Sequence, residues 1–398
     1  MKRLTVCNFI ILVLVGVFLM SGGSSYAQSQ KDLKLGFIAP LSGPAAPWGI
    51  TWQRGALRAI EDINKSGGIK VKGETFILKL ISEDDRYDPA LTTTAAHRLI
   101  EEHGCKFIHG SITSPGAIAT SAVSEPAKVI IFVGGSSPKR LGPDKPFTFC
   151  IHMGGAETAP MTYEWAAKNY SNVKRIASVQ PNDEVGQAYN TMLVPLFPGV
   201  GWTNAGVELY ERGTKDFYPL ISKILPKKPD IIDLSLLGGG DVGLIAKQAR
   251  ELGFKGLFLA SAALDFDTLL KIAKPEALEG FISNAMKIPG PYIKPEEEKF
   301  YKSYMEKYGP PWQELVISSY VTTMMLKKAI EQTGTVTDTA AVRDAMVKMK
   351  FESELLGMHS FGGQKMYGIQ RSMQYDFFVS LFKGGKLETV ARIKGVVP

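Results

Sequence analysis

Short apolar runs alternate with amphipathic stretches along almost the whole chain, and this alternation constrains the fold more than any other feature. Residues 33–39 read as a strand. Residues 52–66 have helical spacing, with Ala56, Ile60 and Ile63 on one face, and 76–82 is the next strand. Asp88-Pro89 starts a helix: Asp caps it, and Pro takes the first helical position, where its missing N–H costs nothing. That helix is predicted to end near His103, with Gly104 as the stop. A strand over 106–110, a helix over 114–128 and a strand over 129–133 follow. Beyond Cys150 the spacing predicts helices over 157–169, 186–196, 217–225, 242–252 and 266–272. Between them lie strands over 175–180, 202–210, 230–237, 257–260 and 280–284. Strands joined by helices of this length form parallel sheets with crossover connections. A break over 147–155 divides the pattern into two α/β lobes. Residues 295–350 are predicted to be mainly helical, and 373–394 to form strands around Gly384-Gly385.

The amino-terminal end is of a different kind. Lys2 and Arg3 precede an almost wholly apolar run from Leu4 to Met20, and Ser25-Tyr26-Ala27 gives small-x-small before Gln28. This is the layout of a secretory signal peptide over 1–27, cleaved after Ala27. Cys7 lies before the apolar core of this run and not at its end, so it is not placed as a lipid-anchor cysteine. The net charge is +7, of which Lys2 and Arg3 supply two. The remaining excess is scattered, with no basic stripe interleaved with aromatics, which argues against a nucleic-acid partner. Cys105 and Cys150 remain in the exported chain and are expected to be separate, buried thiols.

In open parallel sheets, ligands sit beyond the carboxyl ends of the strands. The loops to watch are therefore 40–48, 111–115, 134–138, 181–185, 237–241 and 261–265. Loops from two lobes that face each other make a cleft, a preferred ligand site.

Residues 34–69, KLGFIAPLSGPAAPWGITWQRGALRAIEDINKSGGI, closely resemble the leucine/isoleucine/valine-binding protein family. So do EDDRYDP at 83–89, the strand and loop at 106–115, the strand ending Gly134-Gly135-Ser136-Ser137-Pro138, and DIIDLSLLGGGDVGLIAKQARELG at 230–253. The resemblance implies a type I periplasmic binding protein: an α/β chain of two Rossmann-like lobes joined by three crossing strands, with the ligand cleft between. The crossings are expected near 150–154, 284–287 and 372–376. The amino-terminal lobe is then 33–152 plus 286–372, and the carboxyl-terminal lobe 153–285 plus 373–398. The resemblance also implies no catalysis and no cofactor. A monomer would close on one small ligand and deliver it to the membrane permease of an ABC transporter. A sensor presenting the same ligand to a signalling partner would carry the same sequence features.

Carried over by position, the first-lobe contacts are Trp48 as an apolar wall, and Thr113 and Ser136 as hydroxyl and backbone N–H donors to a carboxylate. Ser114, Gly134, His152, Val185, Gly238 and Asp265 complete the expected ligand-binding set. Amino-acid binders also need an acid for the α-ammonium group, because a buried unpaired charge is costly. Those positions align near Gly155 and Ala262, neither of them acidic; Glu157 and Asp265 lie close by. The expected ligand is therefore a carboxylate without an α-amino group, an aromatic or short-chain organic acid, with an aliphatic amino acid next.

Other motifs carry less. Gly238-Gly239-Gly240-Asp241-Val242-Gly243 satisfies G-x-G-x-x-G, but it lies in the second half of the chain, and its acidic candidate, Asp265, lies beyond a further strand. It reads as a loop on the cleft wall. The histidines His97, His103, His109, His152 and His359 lack metal-site spacing. No nucleophile elbow occurs. Arg86-Tyr87 reads as a solvated turn, with a position facing the cleft as the alternative.

Overall fold

The computed structural model describes residues 30–398 except Pro44, Ala263 and Asp265. The predicted export segment and its cleavage point lie outside the described residues. Two sheets organise the rest. The first runs, edge to edge, through Phe351–Ser353, Gly357–Gly362, Ser372–Gln374, Thr148–Cys150, Ile130–Val133, Phe107–His109, Gln30–Ala39, Glu74–Asp84 and Ile69–Val71. The second runs through Lys386–Lys394, Asp376–Lys383, Phe281–Ser283, Leu257–Ala260, Ile231–Asp233, Arg175–Pro181 and Thr203–Tyr210. The central strands of both sheets pair in parallel, and antiparallel pairs occur toward the edges.

Helices cover both faces of the first sheet, so the buried stretches of its central strands, such as Ile130–Val133, are largely apolar on both faces. The strand Gln30–Ala39 shows how the two-residue period sorts side chains. Leu33, Leu35, Phe37 and Ala39 enter one core, with Trp52 and Ile60, while Ile38 enters another, with Ala96, Ile108 and Ala117. The helix Ala46–Lys65 lies against Leu315–Thr333. The two backbones approach so closely at Gly55 that a Cβ there would stand 2.3 Å from the Val316 carbonyl oxygen.

The chain passes between the sheets three times: after Thr148–Cys150, after Phe281–Ser283, and at Tyr375, between Ser372–Gln374 and Asp376–Lys383. This is the two-lobed α/β architecture expected from the resemblance. No helix among the described residues is long and apolar enough to cross a membrane. Cys105 and Cys150 are buried free thiols in separate cores.

Local departures from the sequence reading have local causes. The first helix begins at Ala46, with Pro47 in its first turn, so Trp48 is helical. The strand predicted over 230–237 stops at Asp233, whose carboxylate accepts the Ser235 N–H at 2.9 Å and turns the chain. The helix predicted over 186–196 is α-helical only over Glu184–Ala188. It continues as a wider and then a tighter turn as Pro195 and Pro198 approach.

Candidate functional site

Strand ends and helix starts from both lobes surround a cavity of about 160 Å³. A protein cavity of roughly 150 Å³ admits benzene, which sets the scale of the occupant.

The first-lobe wall is made of helix starts. Thr113 caps Ser114–Ser124, and its Oγ1 accepts the Gly116 N–H at 3.1 Å. Ser114 Oγ accepts two backbone N–H groups of the neighbouring loop, from Ser136 at 2.8 Å and Ser137 at 3.0 Å. The Ser114 hydroxyl hydrogen is used by neither bond. Gly135 brings the loops together: its φ is +85°, and a Cβ there would fall 2.7 Å from the Ser114 backbone. Trp48 stands in the first turn of its helix and reaches across the cavity. A Cβ on Gly238, in the other lobe, would be 3.3 Å from its ring.

The second-lobe wall is mainly apolar, with Val185, Leu236, Leu237, Gly238, Ala262 and Leu264, and Thr158 and Asn284 are polar members beside the crossings. Leu236 holds a left-handed φ of 72°, an unfavourable conformation for a branched side chain that recurs where a wall must be shaped. At the mouth, Tyr87 of the first lobe faces Arg212 of the second. Arg212 is bound to Asp183 at 2.7 Å, with Asp241 at 3.8 Å. Lys139 and Glu184 pair across the lobes at 2.7 Å.

The crossings make the floor. His152 is in edge contact with Trp52, and its Nδ1 has no hydrogen-bond partner. Burial pushes its imidazole down to about 3, so it stays neutral. His109 lies deeper and is structural. Its Nδ1 accepts from the Trp52 indole at 2.8 Å, so Nε2 carries the proton and faces Thr323 Oγ1 at 3.0 Å. This ties the strand Phe107–His109 to two helices.

Of the residues singled out from sequence, Trp48, Thr113, Ser114, Ser136, His152, Val185 and Gly238 all line this cavity. Gly134 does not: it stands behind the wall, packed on Ile112 and Trp52, and Gly135 takes the surface position. Asp265 lies outside the described residues. Glu157 does not line the cavity, although its unpartnered Oε2 lies just behind Gly154, which does. Glu157 is wholly buried, bound by Arg140, and receives the Tyr367 hydroxyl at 2.5 Å. Tyr87 stands in an exposed turn, as read from sequence, and also lines the cavity. Sequence reasoning missed Arg212, Gln313, Glu314 and Tyr375. The one available signal was the polar Gln313-Glu314 pair directly before a strongly apolar helix.

Residues 32–378 match the family described as periplasmic binding protein. The chain belongs to this family. The Leu/Ile/Val-binding protein BraC3 of Rhizobium johnstonii is 26% identical over 341 residues, covering 84% of this chain and 88% of that protein. This periplasmic binding protein is thus of the branched-chain amino acid type. Solved structures share its fold. The substrate-binding protein LivJ of Streptococcus pneumoniae, in complex with isoleucine, has a TM-score of 0.76 at 19% identity, covering 92% of this chain and 100% of that one. A solute-binding protein from R. palustris, in complex with benzoate, has a TM-score of 0.75 at 18% identity, covering 92% and 98%. These relatives are solute-binding proteins, not enzymes.

Proposed function

We propose that this periplasmic binding protein is the exported receptor of an ABC importer, cleaved after Ala27. It closes around one small carboxylate that lacks an α-amino group, an aromatic or short-chain organic acid. The lobes rotate about the three crossings, and the permease recognises the closed form. The carboxylate lies at the start of Ser114–Ser124, where the helix end and the free Ser114 hydroxyl hydrogen favour an anion. The ligand body lies on Trp48, against the apolar wall of the other lobe.

The observation that carries this reading is the space at Gly155. A Cβ there would stand 2.3 Å from the Ser261 carbonyl oxygen and 2.6 Å from the Leu236 side chain. No acidic side chain can grow from that position. Ala262 supplies none, and Glu157 does not line the cavity, its Oε1 being bound by Arg140. Among the described residues, neither of the two aligned positions therefore offers an α-ammonium beside the carboxylate site a counter-charge. The reading is tested by isothermal titration of the mature chain with benzoate, short-chain acids, leucine and valine. The organic acids are expected to bind and the amino acids to bind far more weakly. Nanomolar leucine or valine affinity, with no organic acid bound, would overturn it.

A further inference from the structure

The cavity has a second polar end that the carboxylate cradle does not use. Gln313 and Glu314 line it just before the helix Leu315–Thr333. That helix and Ser114–Ser124 cover opposite faces of the first-lobe sheet. Ile317, Val321 and Met325 share a core with Trp52, while Ala117 shares another with Ile38 and Ile108. The two helix starts therefore reach the cleft from opposite sides of the sheet, one for each end of a ligand. Gln313 lies beside Thr51, one turn beyond Trp48: its side-chain oxygen is 3.2 Å from Oγ1, whose single hydrogen also has the Pro47 and Trp48 carbonyls within reach. Glu314 is positioned by Tyr375, whose hydroxyl accepts the Met153 N–H at 3.1 Å and donates to the carboxyl.

Glu314 is only 8% exposed. Arg392 acts on it without touching it, being bound to Glu297 and Asp376, and the Glu297 charge opposes its ionisation. Burial pushes the carboxyl up to about 7, so both of its forms are populated near neutral pH. If the lobes closed an apolar ligand end onto this group, it would lose its water and gain no partner.

We propose that the ligand is a carboxylate with a hydroxyl at its far end, and that Glu314, flanked by Gln313 and Tyr375, binds that hydroxyl. A hydroxyl accepts from the protonated carboxyl and donates to the ionised one, so it fits either form. The inference rests on the carboxylate reading above.

Isothermal titration of the mature chain with matched pairs tests it: benzoate against 4-hydroxybenzoate, and butyrate against 4-hydroxybutyrate. The hydroxylated acid of at least one pair is expected to bind roughly tenfold tighter or more, because a site built around a hydroxyl rejects the analogue without it. Glu314→Leu should reverse the preference, weakening the hydroxylated acid and tightening the plain one. Glu314→Gln, a neutral group of the same shape, should keep a reduced preference, and it serves if the leucine variant does not fold. A smaller difference in both pairs of the wild-type chain overturns the inference and leaves the carboxylate reading standing. Binding of none of the four overturns both.

Discussion

The two walls of the cleft are built on opposite principles. The first-lobe wall is polar and already bonded: Thr113 caps its helix and Ser114 holds the next loop through two N–H groups. The second-lobe wall is mainly Leu236, Leu237, Ala262 and Leu264, with glycines where the lobes come closest. Donors that are held in place need no reordering when an anion arrives, so the proposed carboxylate would bind at this wall at low entropic cost. The apolar wall measures size and excludes water. Specificity then falls to the polar groups between them, of which Glu314 is the one with no partner of opposite charge. Two buried carboxyls illustrate the point. Glu157 has Arg140 and serves the hinge; Glu314 lacks such a cation and faces the cavity.

The largest effect should come from unpinning the hinge that both walls share. Arg140→Met leaves Glu157 buried without its cation, and chemical unfolding should show a loss of about 3–5 kcal/mol. Removing both partners with Arg140→Met and Glu157→Leu should recover most of it.

Next is the polar wall. Ser114→Ala removes the acceptor of two N–H groups and a donor to the ligand. Calorimetry should show roughly hundredfold weaker carboxylate binding, with unfolding easier by about 1–3 kcal/mol.

The Glu314 carboxyl should mark the pH profile of the ligand-free chain. Its folded value, about 7, lies above the ordinary 4.5. Between those values the folded chain holds a proton that the unfolded chain has lost, so stability falls as pH rises. Glu314→Gln should cancel about 1 kcal/mol of the decline between pH 6 and 8, as read by urea unfolding at both pH values. The groups acting on it are Tyr375, Glu297 and Arg392. The histidines act the other way: burial pushes His109 and His152 down to about 3 and His359 to about 4. Their contribution is lost as pH falls below the ordinary 6.5.

The apolar wall should respond more gently. Gly238→Ala places a methyl 3.3 Å from the Trp48 ring. Affinity should drop severalfold with the ligand-free melting temperature unchanged, and a Trp48→Phe background should relieve the loss. Smallest of all, Lys139→Ala removes an ion pair whose side chains are 62% and 36% exposed. The expected change in affinity is about twofold or less, and salt should erase it.

What the sequence determined by itself follows from neighbours along the chain. The two-residue period of Leu33, Leu35 and Phe37, the Asp88-Pro89 cap and the strand–helix alternation are local, and each predicted element reflects forces within one turn or strand. The Asp88 carboxylate does accept the Ala90 N–H, at 2.7 Å. The loops that hold Trp48, Thr113 and Ser136 were legible because strand ends and helix starts face the cleft in a parallel sheet, and the residues themselves came from the family resemblance. Only the tertiary structure decided the rest. Gly135 displaced Gly134 because one loop must touch another. Glu157 became a hinge group because Arg140 and Tyr367, remote in sequence, converge on it. Glu314 entered the pocket because its helix packs on the far face of the sheet from Ser114. Burial and charge pairing between distant segments set those roles, and neither is written in the spacing of residues along the chain.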